Sequence, residues 1–220
     1  MRSNYTRQLD DLKEKLLQMG ELIKRAIRGA MHALFDNDLL LAQEVIMGDA
    51  AVNESERNIE TLCLNLLLTQ QPVAGDMRAV SSALKMITDM ERIGDFATDI
   101  AEIVLRGGKG GVEYHVLQIE KMGDAVICML DGSLKAFTDR DVMLARRVCA
   151  DDDEVDGYFD QTREVLVELI KTNDAFEEHA LDLMMVSKYL ERIGDHAVNL
   201  AEWVIFSVTG VHEKSNWWQM

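Results

Sequence analysis

The chain has 220 residues, of which 48% are hydrophobic and 28% charged, enough apolar material for a folded core and too much for a disordered chain. Its formal net charge of −16 repels phosphate backbones, which argues against nucleic acid as a partner and favours cations or basic protein surfaces. One proline, 6% aromatic residues and many Leu, Met, Ala, Glu and Asp indicate an all-α fold, because β and α/β folds need more turn punctuation.

From about Thr6 to Leu34 apolar residues recur at helical spacing with charges between them, so a first helix is predicted there. Asp36-Asn37-Asp38 interrupts the pattern and offers a cap for the next helix. That second helix runs from about Leu39 to Leu68, with a bend or short break expected at Gly48. Gln70-Gln71-Pro72 reads as a turn, and a third helix follows from about Val73 to Leu105. Gly107-Gly108-Lys109-Gly110-Gly111 cannot hold a helix well and is the best linker in the chain. Beyond it the pattern restarts, with helices at about Glu113–Phe137, Asp139–Thr172 and Asp174–Val208. The tail, with Trp217 and Trp218, reads as a frayed end in preference to a docking element.

Cys63, Cys128 and Cys149 show no CxxC or Cys–His spacing, which fits free thiols in a reducing compartment. No signal peptide is visible after Met1, and no apolar run approaches the roughly 20 residues of a membrane span. A cytoplasmic protein is expected, with no insertion into a membrane.

The sequence Glu-Arg-Ile-Gly-Asp occurs twice, at Glu91–Asp95 and at Glu191–Asp195. The same shift aligns Ala97 with Ala197, Ala101 with Ala201, Glu102 with Glu202 and Val104 with Val204. The middle helices align at a slightly larger shift, which pairs Asp49 with Asp152, Val52 with Val155 and Asn53 with Asp156. The chain therefore reads as two tandem three-helix bundles made by internal duplication. The first spans 1–106, the linker 107–112, the second 113–209 and the tail 210–220.

At about 100° per residue, Asp95, Asp99 and Glu102 fall within about 80° of Glu91, while Ile93, Ile100 and Val104 lie about 180–220° away. Each repeat thus carries an acidic stripe opposite its core face. Carboxylates four residues apart stand about 5–6 Å from each other, and each such pair costs a few tenths of a kcal/mol. A hard or borderline cation held by several oxygens recovers that cost. Asp49 is placed to join Glu91 and Asp95 in the first half, and Asp152 and Asp156 to join Glu191 and Asp195 in the second. A solvated acidic face, with Arg92 and Arg192 in local ion pairs, accounts for the same residues, and spacing alone leaves the two readings open. A mid-helix glycine costs up to about 1 kcal/mol against alanine, so Gly94 and Gly194 imply close approach by a neighbouring helix or a ligand. His196 reads as a satisfied histidine in preference to a ligand, and the other histidines form no repeated pattern. No GxSxG, P-loop, HExxH, GxGxxG or helical Glu-x-x-His pair is present, so no enzyme is expected. A metal-dependent enzyme or metal store using the same carboxylates is the alternative, and a plain helical scaffold the third reading.

Gln70-Gln71-Pro72-Val73-Ala74-Gly75-Asp76-Met77-Arg78, followed by Asp89-Met90-Glu91-Arg92-Ile93-Gly94-Asp95, resembles the first half of the PhoU family. The run from Tyr189 to Glu202, which holds the second Glu-Arg-Ile-Gly-Asp, resembles its second half. The resemblance implies two tandem three-helix bundles whose acidic stripes bind divalent or trivalent metal ions (iron, zinc, manganese or magnesium), often as multinuclear clusters. Carried over residue by residue, the implied ligands are Asp49, Glu91, Asp95, Asp99, Asp152, Asp156, Glu191 and Asp195. Asn53 against Asp156, and Asn199 against Asp99, depart from symmetry and imply unequal sites. The resemblance further implies a non-enzymatic negative regulator of phosphate uptake and of the phosphate-starvation response. It implies contact with the ATPase subunit of a phosphate ABC transporter and with a membrane sensor histidine kinase, and a homodimer.

Overall fold

Helix α1 (Arg2–Asp36) buries Leu12, Leu16, Met19, Ile23, Ile27, Ala30 and Leu34, three or four residues apart and therefore on one face. The structure is a computed structural model that describes residues 2–69, 74–107, 116–172 and 177–213. Asn37 ends α1 in the left-handed region, with φ 50°. Asp38 then donates its N–H to the Ala33 carbonyl at 3.0 Å, and its Oδ1 accepts the N–H groups of Leu40 and Leu41, both at 3.0 Å. This is the cap expected from the Asp36-Asn37-Asp38 cluster, and it opens α2 (Leu39–Thr69). The second half repeats the device. Arg140, with φ 56°, ends α4 (Leu117–Asp139), and Asp141 Oδ1 accepts the Leu144 N–H at 3.0 Å to open α5 (Val142–Thr172).

Gly48 does not break α2, which is helical throughout. An added Cβ there would meet nothing within 4 Å, so this glycine sits in an open stretch of helix. Its cost of about 1 kcal/mol is outweighed by Ala42, Val45, Val52 and Ile59, buried on either side. The remaining helices are α3 (Ala74–Gly107) and α6 (Glu177–Thr209), and no strand occurs among the described residues. The expected Pro72 turn, most of the glycine linker and the Trp217-Trp218 tail lie outside the described residues.

α1, α2 and α3 pack on one another, as do α4, α5 and α6, in two three-helix bundles. The halves meet mainly where α3 lies against α6, and also where α1 meets α4, and one apolar core runs through both. Ile93, Ile100 and Val104, assigned to the core face from spacing, are 0%, 0% and 5% exposed. Between α3 and α6 the duplication produces a local two-fold relation. Phe96 stacks on Tyr189 with ring centres 5.8 Å apart, and at the repeat-equivalent pair His196 Nδ1 lies 2.8 Å from Asp89 Oδ1. Lys24, buried on α1, pairs with Asp131 on α4 at 2.5 Å, and Ser133 on α4 donates to the Ala197 carbonyl of α6 at 3.0 Å. Among the described residues no helix is long and apolar enough to cross a membrane.

Candidate functional site: two carboxylate clusters

The repeated glycine sets where the helices of each half touch. A Cβ on Gly94 would come 3.2 Å from Val52 Cγ1, so α3 lies close on α2 at that point. A Cβ on Gly194 would come 2.8 Å from Asp152 Oδ1 and 3.5 Å from Val155 Cγ1, so α6 lies equally close on α5. Of the two readings of these glycines, close helix approach is the one the packing supplies. Asp95 and Asp195 follow these glycines directly and Glu91 and Glu191 precede them by three residues, so acidic side chains border both contacts.

In the first half Asp49 and Glu91 meet Asp95. The Asp49 carboxyl is pushed above its usual range by burial and then by the Asp95 charge, against the pull of the Asn53 amide, which donates to Asp49 Oδ2 at 2.6 Å. Its Oδ1 is buried without a hydrogen-bond partner. Glu91 is pushed up by burial and Asp95, with smaller contributions from Glu56 and Asp49 against Arg92. Asp99 lies to one side, raised by burial and by Glu102 and Asp95 rather than by Asp49 or Glu91. Arg92 makes the expected local pairs, 3.2 Å from Asp95 Oδ2 and 3.7 Å from Glu91 Oε2.

In the second half Asp152 is the deepest of the group at 3% exposure. Burial, followed by the charges of Asp156, Asp195 and Glu191, pushes its carboxyl up to about 7. It has no hydrogen-bond or ion-pair partner among the described residues. Asp156 is raised by burial and Glu191, and so is Asp195, although both residues reach solvent. Arg192 does not pair with this cluster; its guanidinium lies 5.8 Å from the centre of the Phe96 ring.

Asp49 and Glu91 thus feel the charge of Asp95, as Asp152 feels those of Asp156, Glu191 and Asp195, while Asp99 feels Asp95 from the edge of the first group. Asn199 faces away, donating to Asp89 Oδ1 at 3.1 Å across the boundary between the halves. Its difference from Asp99 therefore serves that contact. His196 is satisfied by Asp89 in the same place. Two participants escaped sequence reasoning. Glu56, seven residues after Asp49 and so on the same face of α2, feels Glu60 and Asp95 and acts on Glu91. Lys188, three residues before Glu191, places Nζ 2.6 Å from Glu191 Oε1 and 2.5 Å from Oε2.

Among the described residues no three His, Cys, Asp or Glu side chains converge closely enough, as they stand, to enclose one ion. The donor chemistry nevertheless suits a hard or borderline cation: both sets are all oxygen, both hold like charges against each other, Asp49 Oδ1 and Glu191 Oε2 are buried without a hydrogen bond, and Asp152 is 3% exposed.

The sequence model of the PhoU domain matches this chain twice, over residues 16–104 and 119–204. The chain belongs to the PhoU domain family. The two PhoU matches cover α1 to α3 and α4 to α6, the two units that carry one carboxylate cluster each. The phosphate-specific transport system accessory protein PhoU homologue of Clostridium acetobutylicum is 34% identical over 212 residues, 95% of this chain and 96% of that relative. The crystal structure of PhoU from Pseudomonas aeruginosa is 34% identical, with a TM-score of 0.87, covering 94% of this chain and 100% of that one. The phosphate transport system regulatory protein PhoU from Streptococcus pneumoniae is 26% identical, with a TM-score of 0.88, covering 96% of this chain and 100% of that one.

Proposed function

We propose that this chain is a non-enzymatic accessory and regulatory protein of phosphate transport. It binds metal ions at its two carboxylate clusters and represses phosphate-starvation genes when phosphate is plentiful. The observation that carries the proposal is the double PhoU match over nearly the whole chain, with relatives named as accessory or regulatory proteins of phosphate transport. Asp49, Glu91 and Asp95, with Asp99 beside them, would hold a divalent or trivalent cation in the first half. Asp152, Asp156, Glu191 and Asp195 would do so in the second. A bound cation supplies positive charge to crowded carboxylates, and the orphaned Asp49 Oδ1 and buried Asp152 support this reading. The chain's own residues do the rest. Gly94 and Gly194 let α2 and α5 approach the helices that carry the repeated carboxylates.

Regulation proceeds by protein contact, from the cytoplasm, with the transporter's ATPase subunit and a membrane sensor histidine kinase, and the working unit is a homodimer. The strongly acidic surface suits basic partner faces. A deletion strain grown in high phosphate tests the regulatory claim. Phosphate-scavenging genes should be derepressed, and unchanged expression refutes it. Elemental analysis of protein purified without chelator tests the ligand assignment. The variant Glu91→Ala/Asp95→Ala/Glu191→Ala/Asp195→Ala should lose most of its metal, and wild-type content in that variant shows the ligands to be misassigned.

A further inference from the structure

The two clusters carry different built-in cations. In the second half the Lys188 ammonium donates to Glu191 Oε1 at 2.6 Å, lies 2.5 Å from Oε2, which is buried without a hydrogen bond, and lies 5.5 Å from the centre of the Phe159 ring. The repeat-equivalent residues in the first half are Thr88 for Lys188 and Glu56 for Phe159. The first half therefore has a neutral side chain where the second has an ammonium, and a carboxylate where the second has a ring. Its own cation, Arg92, touches one oxygen each of Asp95 and Glu91, at 3.2 and 3.7 Å, from a side chain 57% exposed. Lys188 is itself 41% exposed, so the two cations differ less in exposure than in what they cover: the other oxygens of Glu91 and Asp95 stay free of Arg92, whereas Lys188 lies against both oxygens of Glu191. The second cluster is more than a solvated acidic patch. Asp152, 3% exposed, places Oδ1 against Gly194, next to Asp195 in the chain, and the charges of Asp156, Asp195 and Glu191 act on it there.

We propose that Lys188 is a tethered cation that keeps the second cluster from metal, so that the first half loads before the second. This rests on the metal-binding reading above. For Glu191 to serve as a ligand, Lys188 must leave both of its oxygens, and an ion bound at Glu191 then repels an ammonium tethered to the backbone three residues away. Point charges at such separations weaken binding by about tenfold or more at the effective dielectric of a protein surface. Glu56 gives the first half a carboxylate that offsets its Asn53, which stands where the second half has Asp156, so the two clusters are matched in carboxylates and differ in their cation. Lys188 thus sets the order of loading, and removing it equalises the halves.

Titration of the metal-free full chain with Mn²⁺ by calorimetry tests this, with far-UV circular dichroism as a check on folding. Wild type should show two classes of site at least about tenfold apart. Glu91→Gln/Asp95→Asn should remove the tighter class, and Glu191→Gln/Asp195→Asn the weaker. Lys188→Thr should tighten the weaker class by about tenfold, bringing it close to the other. Thr88→Lys, which places an ammonium three residues before Glu91, should weaken the tighter class by a similar factor. It adds an attractive pair, so it remains informative even if Lys188→Thr folds poorly. Two classes that neither Lys188→Thr nor Thr88→Lys moves, or a tighter class that maps to the second half, overturn the role of Lys188 and leave the metal reading standing. No Mn²⁺ binding by any of these proteins overturns both.

Discussion

Replacing Asp152 by Asn should make the metal-free protein more stable at pH 8. Asp152 is 3% exposed, and its carboxyl is pushed from 3.8 to about 7, first by burial and then by Asp156, Asp195 and Glu191. A carboxyl that titrates higher in the folded chain than in the unfolded one holds its proton longer when folded. Its contribution to stability is present in acid and is lost as pH rises through about 7. At about 1.4 kcal/mol per tenfold change in proton affinity, the full loss is about 4 kcal/mol, of which about 2.5 kcal/mol develops between pH 5 and pH 8. Asn has nearly the same volume and no charge to bury, and its amide can donate to a neighbouring carboxylate as Asn53 does to Asp49 at 2.6 Å. Allowing about 1 kcal/mol for imperfect pairing, the net gain at pH 8 is about 2–3 kcal/mol, or roughly 4–12 °C in Tm for a chain of this size. Thermal unfolding followed by circular dichroism at pH 5 and pH 8, in chelator, measures both quantities. The variant should melt higher than wild type at pH 8 and exceed it by less at pH 5. A variant that melts at or below wild type at pH 8, or whose advantage does not change with pH, refutes the account of Asp152 as a strained buried charge.

The two glycines should respond differently to alanine. In Gly94→Ala the new methyl lies 3.2 Å from Val52 Cγ1, so a shift of a few tenths of an ångström offsets the gain in helix propensity, and urea unfolding should place it within about 1 kcal/mol of wild type. In Gly194→Ala the methyl lies 2.8 Å from Asp152 Oδ1, and the buried carboxylate must move. That variant should be less stable than Gly94→Ala and lose Mn²⁺ affinity in the second half, and equal behaviour of the two would contradict the packing argument. His196→Ala should cost about 1–2 kcal/mol in urea by breaking the pair with Asp89 while leaving metal stoichiometry unchanged; lost metal would make His196 a ligand. Among the thiols, burial pushes Cys63 up to about 12 and Cys149 up to about 11, whereas Cys128 is exposed. Ellman's reagent at pH 8 should therefore titrate one thiol quickly in the folded chain and three after denaturation, and a second fast thiol would show that Cys63 or Cys149 is accessible.

Much of the fold was legible because its determinants are local. A helix buries one face at a fixed spacing, so the apolar residues of all six helices could be read in order, and the core positions of Ile93, Ile100 and Val104 followed from the helical angle alone. The cap at Asp38 was equally local, since its side chain reaches N–H groups two and three residues on. The break expected at Gly48 is absent for the opposite reason. Whether a lone glycine breaks a helix depends on how strongly the flanking turns are packed, and here both sides are buried against other helices.

By itself the sequence determined that this protein is a duplicated all-α chain with one acidic stripe in each half, because both features are written in residue spacing along single helices. Only the tertiary structure decided which charges face one another. Glu56 joined the first cluster and Asp99 its edge, Asn199 and His196 turned to Asp89, and Lys188 settled on Glu191. Those contacts depend on how α2 crosses α3, how α5 crosses α6 and how α3 lies on α6. Crossing geometry is set by the packing of whole helix faces, which no window of sequence contains.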